Sequence, residues 1–186
     1  MNDEDLEIEN LVTKEAETVK KKVDGKAKGD RTELHLCKLL STHFNKEFSR
    51  ALGSGSRWAQ VGNLPSHAKQ ALSGDICPPE KFKWVIESKG GYEDDIHFEN
   101  AIDGDGITRF DEFIDQSSRD AEYTKRKPIV CWKRNRKPWI AAIRMEDLTP
   151  IGIEKNFPYR LYYRDWIIVS LEKLLEITKD DPTFWF

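Results

Sequence analysis

Gly74-Asp75-Ile76-Cys77-Pro78-Pro79-Glu80-Lys81-Phe82-Lys83-Trp84-Val85-Ile86-Glu87-Ser88-Lys89 is the stretch around which the rest of the chain is arranged. Phe82, Trp84 and Ile86 alternate with Lys83, Val85 and Glu87, the period of a half-buried strand. Residues two apart on a strand share a face, so Glu87 and Lys89 point the same way at its end. Pro78-Pro79 cannot extend a central strand and turns the chain back. A hairpin-like return of this length brings Asp75, which closes a shorter segment, beside Glu87. Two carboxylates about 4 Å apart repel by about 4 kcal/mol at an effective dielectric near 20. Such a pair needs a proton, a cation or both. Lys89 supplies one positive charge, and a divalent metal would supply more.

The 186 residues suffice for one domain with its own core. Charged residues make up 34% and hydrophobic ones 38%, the balance of a soluble globule. No apolar run reaches the roughly 18 residues of a membrane helix, and the acidic start lacks the apolar region of a secretory signal. Cys37, Cys77 and Cys131 form neither a disulfide framework nor a zinc spacing. Reduced thiols in a cytoplasmic setting are expected. The net charge of −3 does not by itself suggest a nucleic-acid partner, but the charge is unevenly spread.

Residues 1–25 are dense in charge. Ile8, Val12, Ala16, Val19 and Val23 make a narrow stripe, read either as a helix or as a frayed extension. Lys26-Ala27-Lys28, between Gly25 and Gly29, reads as a basic linker where the compact domain, 26–186, begins. Asp30 to Phe44 has helical periodicity, with Asp30 or Thr32 as cap and Leu36, Cys37, Leu40 and Phe44 on one face. Glu33 shares that face. Either it answers the helix dipole in the first turn or it belongs to a site. Glu47 to Leu52 reads as a short strand, followed by Gly53-Ser54-Gly55-Ser56-Arg57, a donor-rich loop suited to phosphate or to a plain linker.

Beyond Lys89, Asp103-Gly104-Asp105-Gly106 with Glu112 approaches calcium-loop spacing, but it puts Ala101 where the first carboxylate belongs. A solvated acidic loop is the better reading. Thr108 to about Lys125 is a second helix, apolar along Phe110, Phe113, Ile114 and Ser117, with the polar run from Gln116 to Tyr123 available to the site. Seven basic residues and no acidic one lie between Thr124 and Pro138: Lys125, Arg126, Lys127, Lys133, Arg134, Arg136 and Lys137. They bracket two strands joined at Arg134-Asn135-Arg136, with Trp132 and Trp139 interleaved. The run reads as one basic patch for phosphates or as a solvated hairpin. Trp166 to Val169 suits an edge strand, Ser170 caps a short helix from Leu171 to Ile177, and Phe184-Trp185-Phe186 docks on the body or meets a partner.

The order of helix with Glu33, strand, Asp75, strand with Glu87-x-Lys89, helix and strand resembles the PD-(D/E)XK nuclease superfamily. Within it, the chain resembles the Holliday-junction resolvases of archaea and their phage relatives. The likeness rests on Gly29-x-x-x-Glu33, Arg50-x-x-x-Ser54-Gly55-Ser56, Gly74-Asp75-Ile76, Ile86-Glu87-Ser88-Lys89, Gln116 and the strand pair Lys127–Val130 and Pro138–Ile140. The chain departs from the pattern in having Gly74 where a proline precedes the aspartate, in a long segment from Ser56 to Gly74, and in residues 146–186.

The resemblance implies an α/β restriction-endonuclease-like core, a central mixed β-sheet flanked by helices, over about residues 26–145 with 146–186 as an addition. It implies a Mg²⁺-dependent endonuclease that cuts branched DNA, most specifically four-way junctions, leaves 5′-phosphate and 3′-hydroxyl ends, and works as a homodimer. A repair- or restriction-like endonuclease and a non-catalytic nucleic-acid-binding protein on the same fold are the alternatives. By the same resemblance, Asp75, Glu87 and the Ser88 carbonyl would hold Mg²⁺, with Mn²⁺ able to substitute. Glu33 would bind metal or orient its water, Lys89 would act on water or phosphate charge, and Gln116 would support Lys89. Arg50, Ser54, Ser56 and Arg57 would meet the DNA backbone. No organic cofactor and no membrane are expected.

Overall fold

The computed structural model describes residues 25–51 and 73–186. The N-terminal stripe and the loop bearing Ser54, Ser56 and Arg57 lie outside them. Helix α1 runs Gly25–Phe44. Lys26-Ala27-Lys28 is thus helix rather than linker. Lysine and alanine are strong helix formers, and one glycine at position 29 costs only about 1 kcal/mol in a helix so anchored. Glu33, Leu36, Cys37 and Leu40 are buried along one stripe of α1. Asp30 and Thr32 lie inside the helix rather than capping it, and the Asp30 carboxylate is engaged by Arg50.

β1 (Ser49–Arg50) and β2 (Ile76–Cys77) form an antiparallel ribbon, Arg50 opposite Ile76. The main sheet is mixed, in the order β3-β4-β5-β7-β6. Its strands are β3 (Trp84–Gly90), β4 (Lys127–Lys133), β5 (Trp139–Arg144), β6 (Leu161–Tyr163) and β7 (Trp166–Ser170). β3 and β4 are parallel, with Glu87 opposite Val130 and Lys89 opposite Trp132. A parallel pair needs a crossover, and helix α2 (Thr108–Thr124) supplies it. The other neighbours are antiparallel.

The sheet is buried on both sides. One core joins Trp84 and Ile86 of β3 to Leu36 and Leu40 of α1 and to the C-terminal segment. The other packs Phe110, Phe113 and Ile114 of α2 on Val130, Trp132 and Ile168. β3 is therefore buried on both faces from Trp84 through Ser88, not half-buried. The alternation Phe82-Lys83-Trp84 reflects a start at Trp84, because Lys81 takes a left-handed conformation (φ 68°) and Phe82 closes a turn on Pro79.

Residues 146–186, expected as an addition, supply two of the five main-sheet strands. β7 is not an edge: it pairs with β5 and β6, and the short β6 takes the edge. Ser170 caps the helix Leu171–Ile177, its hydroxyl accepting from the Lys173 N–H at 3.2 Å. The tail docks on the body. Trp185 stacks on Phe82 with ring centres 5.7 Å apart, and Trp84 Nε1 donates to the Phe184 carbonyl at 2.9 Å.

Candidate active site

Asp75 is held by its own backbone and by its carboxylate. Its N–H donates to the Ile86 carbonyl and its carbonyl accepts from the Ala51 N–H, both at 2.9 Å. The Ser88 N–H donates to its Oδ2 at 2.8 Å. On a strand the N–H and C=O of one residue point to the same edge, so the Ser88 carbonyl also faces the Asp75 side of β3. The hairpin expectation holds in outcome: Asp75 and Glu87 lie close enough that the Asp75 charge helps to raise the Glu87 carboxyl. Gly74 shapes the approach. Its φ is +78°, and a Cβ there would sit 2.6 Å from the Ile86 carbonyl oxygen. Proline, locked near −65°, cannot take that conformation, which is the physical reason this chain has glycine at that position.

Glu87 is fully buried. Lys89 Nζ lies 2.5 Å from its Oε1 as an ion pair, yet neither Glu87 oxygen receives an aligned hydrogen bond. Burial, then the Asp75 charge, push its carboxyl up to about 8. Burial also raises Asp75, against the pull of the Ser88 N–H and Lys89. For Lys89, burial disfavours the ammonium, but Glu87 outweighs it and leaves the pKa raised. Two buried carboxylates side by side are a hard-oxygen donor set of the kind a divalent cation such as Mg²⁺ takes while keeping several waters. Among the described residues no three His, Cys, Asp or Glu side chains form a cage.

The helices contribute from both faces. Lys89 Nζ donates to Gln116 Oε1 of α2 at 3.2 Å and lies 5.1 Å from the centre of the Phe113 ring. Glu33 of α1 is buried, near enough to Asp75 to be raised by its charge after burial itself. Its carboxylate is taken by Arg50 Nε at 2.7 Å. Arg50, expected on a phosphate, forks between Glu33 and Asp30. One group was missed. Asp120 of α2 is 5% exposed; burial pushes its carboxyl up to about 6, with the Asp75 charge adding and the Gly74 backbone and Lys89 opposing. Like Glu33, Asp120 sits in a buried helical stripe, continuing Phe113-Ser117-Ala121, and a carboxylate there asks for a reason.

The family model described as "Phage putative PDDEXK endonuclease" matches residues 24–182. The chain belongs to this phage PDDEXK endonuclease family. Protein D14 of Escherichia phage T5 is 30% identical over 129 residues, covering 67% of this chain and 74% of that protein. Among solved structures, Hjc of Archaeoglobus fulgidus, a Holliday junction resolvase from an archaeal hyperthermophile, aligns with TM-score 0.37 and 14% identity over 78% of this chain and 90% of that one. The protein is thus a nuclease of the PDDEXK type. Asp75, Glu87 and Lys89 are the residues whose spacing resembles the motif after which that family is named.

The basic residues of this endonuclease do not form one patch. Lys127 lies opposite Trp84 and Lys133 opposite Gly90, so Lys125, Arg126 and Lys127 sit at the far end of β4, about 20 Å from Lys133. Lys133, Arg134, Arg136 and Lys137 share the end of the sheet that carries Lys89. Arg136 and Lys137 are exposed. Lys127 is paired with Asp147 at 2.9 Å. Trp132 and Trp139 are buried and lie beneath Arg134 and Lys133, so their rings support cations rather than bases. Asp103 and Asp105 are exposed in a loop, as the solvated reading expects. No helix among the described residues is long and apolar enough to cross a membrane.

Proposed function

We propose that this protein is a Mg²⁺-dependent endodeoxyribonuclease that cuts branched DNA, four-way junctions first, as a two-fold homodimer. The observation that carries the metal is the fully buried Glu87 carboxylate, ion-paired with Lys89 through Oε1 and with Oε2 receiving no hydrogen bond, beside Asp75. Asp75, Glu87 and the Ser88 carbonyl would hold the ion. Bound there, Mg²⁺ would activate water and offset charge on the phosphate and leaving oxygen, with Mn²⁺ an adequate substitute. Lys89, steadied by Gln116, places an ammonium at the phosphate, where its compact charge has no equal in arginine. Ser54, Ser56, Arg57 and the Lys133–Lys137 turn would grip the backbone on either side. Arg50 acts from behind, orienting Glu33. Preference for branched DNA is supported by the ordered motif set shared with resolvases, and the dimer by the need to cut two opposed strands.

The test is cleavage of a labelled four-way junction and of a matched duplex in Mg²⁺, with Glu87→Ala as control. Paired symmetric nicks with 5′-phosphate ends, absent in the control, are expected. Equal cutting of both substrates would assign a repair- or restriction-like activity instead. Unchanged cleavage by Glu87→Ala would refute the site. Sedimentation gives the oligomeric state.

A further inference from the structure

We infer that the outer face of α1, with the groove beside it, is the surface on which a second copy of this chain docks. This surface deepens the homodimer proposed above and rests on that reading. The groove lies between α1 and the helix Leu171–Ile177, has a volume of about 620 Å³, and is lined by Leu39 and Leu175 between charged walls. The walls differ in sign. α1 contributes His35 and Lys38, the other helix Glu172 and Glu176. The two helices run the same way along it. His35 and Glu172 meet Trp139 at one end: the rings lie 5.8 Å apart, and Glu172 accepts the Trp139 N–H at 3.0 Å. His43 and Lys179 line the other end. On the basic wall Leu34 is 55% exposed, although the opposite stripe of α1 is buried. From Arg31 to Thr42 the exposed residues of α1 include Arg31, Leu34 and Lys38 and no carboxylate. A positive wall, a negative wall and an apolar knob on one face make a self-complementary patch, as a two-fold contact requires. A two-fold axis along the groove lays α1 of each copy over the partner's Leu171–Ile177 helix. With Leu34 level with the partner's Glu172, Lys38 falls level with the partner's Glu176, because both steps are four residues, about 6 Å. Glu176 now pairs only with Lys173, at 2.9 Å on the open surface, a contact that contributes little and is easily exchanged. α1 turns Glu33 inward to the site and Leu34 outward, so each site is tied to this interface through a single helix.

Sedimentation equilibrium of the full chain in EDTA and low salt tests the interface without DNA or metal. The wild type should be a dimer. Lys38→Glu and Glu176→Lys should each raise the dimer Kd about 10-fold or more, because like charges then face each other twice. Leu34→Asp should act likewise. The double variant Lys38→Glu with Glu176→Lys should return Kd to within a few-fold of the wild type, a rescue that loss of folding cannot produce. A dimer indifferent to both single reversals would overturn this interface and leave the homodimer standing. So would a double variant no tighter than the single ones. A wild type that stays monomeric would overturn the interface and the homodimer together, and would give the groove to another occupant. A wild type that dimerises, breaks and is rescued as stated, yet cuts no DNA, would refute the nuclease activity proposed above and leave the interface intact.

Discussion

At the scale of single residues, the site is governed by burial of charge. In the metal-free fold Glu87 keeps its proton up to about pH 8, against 4.5 for an ordinary glutamate. Between those values the folded chain binds more protons than the unfolded one. The stabilising contribution is therefore complete below about 4.5 and is lost as pH rises toward 8. Thermal melts in EDTA should show Tm falling across that window, less steeply in Glu87→Gln. Identical slopes in the two proteins would show that Glu87 does not titrate as the structure implies. Asp120, pushed up to about 6 by burial, adds to the fall in the same direction. Lys89 illustrates why an ion pair here is no guide to stability. Its partner is inaccessible to water, so removing the ammonium makes Glu87 hold its proton more firmly rather than stand charged.

At the scale of elements, close approach matters more than propensity. A Cβ on Gly90 would run into the Thr32 side chain of α1. Gly90→Ala should therefore push α1 off β3, with the overpacking penalty of about 1–3 kcal/mol seen in urea unfolding. Cleavage should fall in parallel, because α1 carries Glu33 beside Asp75. The C-terminal helix, Pro182–Trp185, braces the other end of the same strand. The Lys83 N–H donates to the Trp185 carbonyl at 2.7 Å, and Trp185 Nε1 donates to Thr178 Oγ1 at 2.7 Å. Trp185→Ala removes a buried ring stacked on Phe82 and should destabilise by about 3–5 kcal/mol in the same assay. A loss under 1 kcal/mol would mean that the tail is dispensable to the core.

At the scale of the whole molecule, β4 divides the positive charge. Each phosphate contact contributes about 0.9 to the slope of log K against log salt. Duplex binding, measured by anisotropy in EDTA across a KCl series, should lose about that much slope in Arg136→Ala or Lys137→Ala. Lys125→Ala, at the opposite end of the sheet, should leave it unchanged. Equal effects at both ends would place DNA along the length of β4 rather than across its site end.

Local geometry made much of this legible in the sequence. Glu87 and Lys89 share a face because strands repeat every two residues, and Glu33 stands out because helices repeat near every 3.6. Those periods hold whatever the rest of the chain does, so the Glu87–Lys89 pair and the order of elements are legible locally; the nuclease reading comes from the resemblance of that order to the PD-(D/E)XK superfamily. Asp120 is absent from that reading because the Asp75 charge it senses lies 45 positions away. The basic run reads as one patch because sequence distance hides a strand about 20 Å long. Residues 146–186 read as an addition because nothing local says that β7 pairs on both sides. Which elements meet is set by the crossover through α2 and by two cores that cover both faces of the sheet. That choice buries Asp120 where it senses Asp75, leaves Arg50 bound to Glu33, and closes Glu87 off from water.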